Sequence, residues 1–423
     1  MRSVPWWGNY EPDDHVMNQT ITGRIKAGAA WADPNRYGRS DRSTVGRWFW
    51  EIDRVLLLLI AILIGIGLIA VAAASPAAAV RYSGGNVHFP ELYYFYRQIA
   101  WIAVGVPVMI GISMMPRERA RRLSLAGAAI FFVLLALVPM IGPEVNGARR
   151  WIGLGVGQLQ PSEFLKPFFV VAMAWLMSFR ESDKSLPVFT LSAVITCAIA
   201  FLLMKQPDFG STIIFVSVWI AMLALAGVSL RMLAIIGVAG LIGIVLAYFF
   251  YDVATARIDG FLFGQGDTFQ TDNAMRTLTA GGLFGMGPGA GTRKFGLPEP
   301  HTDYIFSVIG EEFGLIACLA IATLYLVIVA RVLVKLLDED SPFAILAGAG
   351  LVIEFGLQAL INMAVNVQIA PSKGMTLPFI SYGGSSMLAL SIGMGLLLAF
   401  TRRNPYLTRS PYVVKWSGES LTA

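Results

Sequence analysis

The stretch Leu297–Glu312, LPEPHTDYIFSVIGEE, sets Glu299, His301, Asp303, Glu311 and Glu312 against an apolar run that continues from Phe313 to Ala330. Carboxylates where an apolar helix begins are costly unless they have a task. One such task is proton abstraction, and Asp303 is the candidate base. An unperturbed aspartate titrates near ~3.9 and is a weak base, so its surroundings would have to raise it. His301 then orients the turn, while Glu311 and Glu312, two or more turns deeper, read as polar-network residues.

Four other polar stretches interrupt the apolar pattern: Asn146–Ile152 (NGARRWI), Gln160–Lys166 (QPSEFLK), Lys205–Gly210 (KQPDFG) and Pro371–Ser386 (PSKGMTLPFISYGGSS). Pro161 suits a first helical turn, and Glu163 and Lys166 share a helix face on which they can pair. Lys205 and Asp208 could form a second pair. Each pair reads equally well as a structural tie or as part of a site. With Arg149, Arg150, Arg276, Arg293, Lys294 and Lys373 these stretches supply cations suited to phosphate or diphosphate. Gly285–Arg293 (GMGPGAGTR) could aim backbone N–H groups at an anion, but without a Walker-type ending it reads better as a flexible surface loop. Gly383 and Gly384 permit close backbone approach, and Ser385 and Ser386 read as helix caps. A Ser–His–Asp set, zinc spacing and a dinucleotide fingerprint are absent. A carboxylate beside cations leaves acid–base chemistry on a phosphorylated lipid as the economical reading.

The elements that position these residues are transmembrane helices. The 423 residues are 56% hydrophobic and 14% charged, against about 25% charge in an ordinary soluble domain. A span needs about 20 apolar residues. Seven clear runs qualify: Val55–Ala74, Ile99–Met115, Leu123–Gly142, Leu186–Met204, Phe209–Leu230, Met232–Tyr251 and Phe313–Ala330. Phe164–Phe179, Phe343–Ala370 and Ser385–Thr401 are weaker, and together they predict an all-α polytopic membrane protein of about ten helices.

With both termini inside, 21 of the 32 Lys and Arg residues fall on the cytoplasmic side, as the positive-inside rule requires. This topology puts all five polar stretches on the outer side. Residues 1–50 read as a mostly disordered cytoplasmic tail ending in an interfacial helix at Gly46–Arg54, 51–405 as the membrane domain, and 406–423 as a C-terminal tail. Residues 252–304 form one long external loop without evident regular structure. Cys197 and Cys318 lie in apolar runs as packing residues, and three scattered histidines exclude a His-rich metal site. Glu354, Gln358 and Asn362, four apart, form the one polar stripe near a midplane. It reads as an interhelical hydrogen-bonding seam or as part of a transport path.

In this order the five motifs resemble the SEDS family of polytopic cell-wall proteins over roughly residues 50–405. Ser372–Lys373–Gly374–Met375–Thr376 is closer to the FtsW-type members, at a place where RodA-type members read PVTGxPLP. The resemblance implies a glycosyltransferase that polymerises lipid II on the outer face of the cytoplasmic membrane at the division septum, inverting at the donor sugar and releasing undecaprenyl diphosphate. It puts the family's essential aspartate on Asp303 and its substrate-binding positions on Arg150, Gln160, Ser162, Glu163, Lys166, Asp208 and Lys373. Lys205, His301, Ser385 and Ser386 join that set by adjacency, and Arg149 falls on a variable position. Pro300 stands where the family often has Ala. The implied partners are lipid II, membrane lipids, a class B penicillin-binding protein and other division proteins, with no nucleic acid. A divalent cation, magnesium or manganese, could bridge the diphosphate. A lipid II flippase and a non-catalytic division scaffold are the competing readings.

Overall fold

The computed structural model describes residues 44–84, 88–144, 148–153, 158–180, 185–263, 269–371 and 374–402. A short helix, α1 (Thr44–Glu51), overlaps the expected interfacial segment, with Phe49 and Trp50 edge to face at 5.7 Å. The rest of both tails lies outside the described residues.

Each of the ten apolar runs forms a helix: α2 (Arg54–Tyr82), α3 (Tyr93–Ser113), α4 (Arg117–Ile141), α5 (Pro161–Ser178), α6 (Val188–Lys205), α7 (Phe209–Leu225), α8 (Leu230–Phe250), α11 (Ile305–Leu336), α12 (Pro342–Asn366) and α13 (Gly384–Phe400). In lipid the backbone must satisfy its own hydrogen bonds, so uninterrupted apolar sequence of this length has little alternative to a helix. Seven of the ten are long and apolar enough to cross a membrane, whereas α7 and α13 are apolar but shorter. The chain is a multi-pass helical membrane protein. Pro161 opens α5 at its first turn as expected. Of the seven long spans α12 is the most enclosed, packed against α5, α7, α11 and α13, and α8 buries none of its residues.

The segment expected to be a structureless loop is largely ordered. It contains α9 (Asp252–Leu262), α10 (Phe269–Ala280) and a 3-10 turn, Arg293–Gly296. The eighth apolar run also begins earlier than its hydropathy suggests, at Ile305, and breaks at Gly314 (φ 80°, ψ 177°). The glycine-rich loop closes over this break. Leu315 N donates to Gly282 O at 2.9 Å, and Met286 N and Gly287 N donate to Glu311 O and Glu312 O at 2.9 and 3.0 Å. A Cβ at Gly285 (φ +83°) would come within 2.2 Å of Glu312 O, and one at Gly314 within 2.3 Å of Leu283 O, so only glycine fits either place.

Carboxylates account for the order in this loop. Glu311 accepts from Arg293 N at 2.6 Å and Lys294 N at 2.9 Å. Glu312 accepts from Gly289 N at 2.8 Å and pairs with Lys294 Nζ, which also reaches Ala73 O of α2 at 2.8 Å. The loop does present N–H groups to anions, but the anions are its own. We refer to this arrangement as the clasp.

At the opposite end of the bundle, Asp53 caps α2 through Leu56 N at 3.0 Å and accepts from Arg331 at 2.8 Å and Lys335 at 3.4 Å. Burial pushes its carboxyl up, but the hydrogen bonds from Arg331 and Leu56 outweigh that and hold it below the usual aspartate value. A lowered carboxylate stabilises the fold above the ordinary pKa, and that contribution is lost as acid titrates it. Asp53→Ala is expected to cost about 1–2 kcal/mol in thermal unfolding, from the lost cap and ion pairs, and to remove stability that wild type loses only below the usual aspartate range.

Candidate active site

The polar motifs meet at one end of the bundle. Between α4 and α5 two short strands, β1 (Ile152–Gly153) and β2 (Gln158–Leu159), pair antiparallel and bring Arg150 near the start of α5. Arg150 Nε donates to Gln206 O at 3.0 Å, and its Nη2 donates to Pro207 O, in the turn between α6 and α7. Arg149 reaches outward to Glu144 at 3.4 Å. Asp208 caps α7 through Ser211 N at 3.1 Å and Ser211 Oγ at 2.7 Å, and accepts from Gln160 at 3.5 Å. Asp208 therefore turns to its own helix rather than to Lys205, which is exposed over the Phe201 ring at 5.5 Å. Arg150, Gln160 and Asp208 are brought together, and Lys205 is not among them.

A second group follows α5 inward. Ser162 is buried, and Lys166, 2% exposed, pairs with Glu163 at 2.8 Å and donates to Gln358 Oε1 of α12 at 2.8 Å. Glu163, Lys166, Gln358 and Glu354 line a cavity of about 10 Å³, room for roughly one water. The Lys166 charge is thus taken up by an internal ion pair and an amide. From Gln358 the chain of bonds continues to Thr376, whose Oγ1 lies 2.8 Å from Ser386 Oγ. The caps expected from Ser385 and Ser386 are not formed. Gly383 holds the cap position of α13 without a side-chain bond, because Ser386 turns to Thr376 instead. Lys373 and Ser372 lie outside the described residues.

The third group is the turn that carries Asp303. Glu299 accepts from Tyr82 Oη at 2.5 Å and Thr302 Oγ1 at 2.9 Å, while its carbonyl accepts from Tyr304 N at 3.2 Å. Ser381 Oγ donates to Thr302 O at 2.6 Å, and Tyr382 N donates to His301 O at 2.8 Å. The Asp303 carbonyl accepts from Asn362 at 2.9 Å and Asn366 at 3.0 Å. Its carboxylate lies over Gly374, where a Cβ would come 3.1 Å from Oδ2. The turn is pinned on both sides, and its acid is only partly covered.

His301 is 3% exposed among the rings of Tyr82, Tyr94 and Tyr382, with centroids at 5.9, 4.2 and 5.2 Å, and its Nδ1 has no hydrogen-bond partner. Burial pulls its pKa down to about 3. The imidazole is neutral at physiological pH and orients the turn rather than shuttling a proton. Linkage gives the sign: the unfolded chain takes up a proton below about 6.5 and the folded one does not, so stability rises with pH between about 3 and 6.5. Thermal unfolding across that range is expected to show this slope, and His301→Phe to flatten it.

Asn366 belongs to none of the five motifs, although it continues the four-residue spacing of Gln358 and Asn362. That spacing is the signal that could have found it. Tyr82, Glu299 and Ser381 also hold the turn. Glu299 is noted among the acids of its stretch without a role, Ser381 lies inside a motif that drew notice for other residues, and Tyr82 lies outside them all.

Fold and site together define a polytopic helical membrane protein whose polar motifs gather around one acidic turn. A family model described as FTSW_RODA_SPOVE, cell cycle protein, matches residues 54–406, and the chain belongs to that family. A relative from Caulobacter vibrioides, named probable peptidoglycan glycosyltransferase FtsW, is 38% identical over 372 residues, 87% of this chain and 94% of its own. A relative of the same name from Alkalilimnicola ehrlichii is 33% identical, with the same coverage. Among solved structures, a chain of a peptidoglycan synthase complex that coordinates polymerization and crosslinking superposes with a TM-score of 0.67 at 25% identity, covering 83% of this chain and 97% of that one. The rod shape determining protein RodA of Thermus thermophilus gives 0.61 at 27% identity, covering 83% and 96%.

Proposed function

We propose that this chain is a peptidoglycan glycosyltransferase that joins lipid II into glycan strands at the outer face of the cytoplasmic membrane during division. All ten apolar helices cross the bilayer, with both termini cytoplasmic. The observation that carries this reading is the place of Asp303: a partly covered carboxylate on a pinned turn, at the end of the bundle where the other motifs converge. Relatives named for the activity support it.

In the proposed step the Asp303 carboxylate takes the proton of the acceptor's GlcNAc 4-hydroxyl. That oxygen attacks C1 of the donor's MurNAc from the face opposite the diphosphate, the C1–O bond to diphosphate breaks, and undecaprenyl diphosphate leaves with the electron pair. Arg150, Gln160 and Asp208 shape the wall beside the substrate, and the Glu163–Lys166 pair holds α5 against α12. Among the described residues no three of His, Cys, Asp and Glu converge, so a divalent cation, if one bridges the diphosphate, would take most of its oxygens from the substrate and water. A class B penicillin-binding protein is the partner that would cross-link the product. The likeness to a synthase-complex chain supports that pairing.

Gln358 and Asn362 are engaged with neighbouring side chains and carbonyls, which favours the seam over a transport path. The test is polymer formation from purified lipid II by the full chain with its transpeptidase, with and without magnesium. Translocation of labelled lipid II across vesicles with no polymer under any condition would replace the enzyme with a flippase.

A further inference from the structure

We infer that Asn362 and Asn366 are positioning residues for the Asp303 carboxylate, an inference that rests on Asp303 being the base. The two amides are 2% and 0% exposed and stand one turn apart on the last two turns of α12. Asn366 Oδ1 accepts from Ser307 N at 3.1 Å and Ser307 Oγ at 2.7 Å. A backbone N–H can only donate, so this contact fixes the amide orientation and leaves Nδ2 facing carbonyls. That Nδ2 donates to Asp303 O at 3.0 Å and to Asn362 O at 2.9 Å. Asn362 Nδ2 donates to Asp303 O at 2.9 Å and to Met375 O at 2.6 Å.

One helix face therefore ties three separate segments: the Asp303 turn, the first turn of α11 and the loop that follows Lys373. The shared point is the carbonyl of Asp303 itself, one bond from its Cα. With that carbonyl held twice, the carboxylate keeps only its side-chain torsions. Asn362 also pins Met375 O, which keeps neighbouring Gly374 against the Asp303 carboxylate. A seam that only packed helices together would not need to converge on the backbone of the one acid on the turn that the reaction uses.

The test is steady-state polymerisation of lipid II by the full chain in bilayer discs, with thermal unfolding of every variant measured alongside. Asn362→Ala is expected to lower kcat about 10²-fold with KM within roughly 2-fold, because the acid is misplaced while the substrate walls remain. It should also move the acidic limb of the pH–kcat profile, which a purely structural loss would leave in place. Asn366→Asp keeps the acceptor for Ser307, replaces the donor that faces Asp303 O, and is read the same way should Asn362→Ala not fold. Asp53→Ala, at the far end of the bundle, supplies a destabilised control whose kcat stays at the wild-type value.

Wild-type kcat and pH profile in both asparagine variants, or an effect confined to KM, would overturn the positioning role. Polymerisation by Asp303→Asn would overturn instead the reading on which it rests.

Discussion

Lys294→Met is expected to destabilise the protein by about 3–5 kcal/mol, the cost of leaving a buried carboxylate without its partner. Lys294 is 2% exposed, and its ammonium joins Glu312 to the carbonyl of Ala73. Methionine matches the length of the lysine stem and removes only the charge. Two glutamates, 0% and 1% exposed, then face the glycine-rich loop with backbone N–H groups as their remaining support. Thermal unfolding in detergent reads the loss. Limited proteolysis should cut first within residues 281–296, because the clasp is what orders that segment. The double variant Lys294→Met/Glu312→Gln should recover part of the stability, since the uncompensated charge goes with its partner. A single variant as stable as wild type would mean the pair contributes nothing to the fold.

Asp303→Asn is expected to reduce polymerisation about 10²–10⁴-fold, the range that a positioned base supplies. The substitution is isosteric, and the variant keeps the backbone carbonyl of residue 303 that Asn362 and Asn366 hold. Melting temperature should therefore stay within a degree or two of wild type by the usual behaviour of surface-like changes. Measured together, the two quantities separate chemistry from folding: a lost activity with an intact melt supports the base, and retained activity removes it.

The bundle was readable because a bilayer leaves the backbone few choices, so that each apolar run had to become a helix. The converging motifs were readable as polar residues at helix ends. Their bonding was not. Lys166 looked like a cation for phosphate, yet its pairing with Glu163 and Gln358 depends on a helix 192 residues further along the chain. Asn362 stood out by its four-residue spacing, but its partner is a main-chain carbonyl 59 residues away that no side-chain pattern announces. The stretch 281–296 looked loose because glycine permits any conformation. The carboxylates that remove this freedom lie in the following helix. Ser386 satisfied the composition of a cap and found Thr376 first.

The break at Gly314 separates two jobs that one continuous rod would have to share. From Ile305 to Phe313 the first part of α11 is a stub of nine residues, about 13 Å long at the helical rise. It is moored by the clasp at one end and by Asn366 at the other. The remainder of α11 runs on through the hydrocarbon. Tilt of that longer part, as thicker or thinner bilayers demand, can be absorbed at the glycine. Asp303 would then keep its depth below the surface in membranes of differing thickness. A residue inserted within the stub would instead rotate the acid by about 100° and dislodge it from its amides.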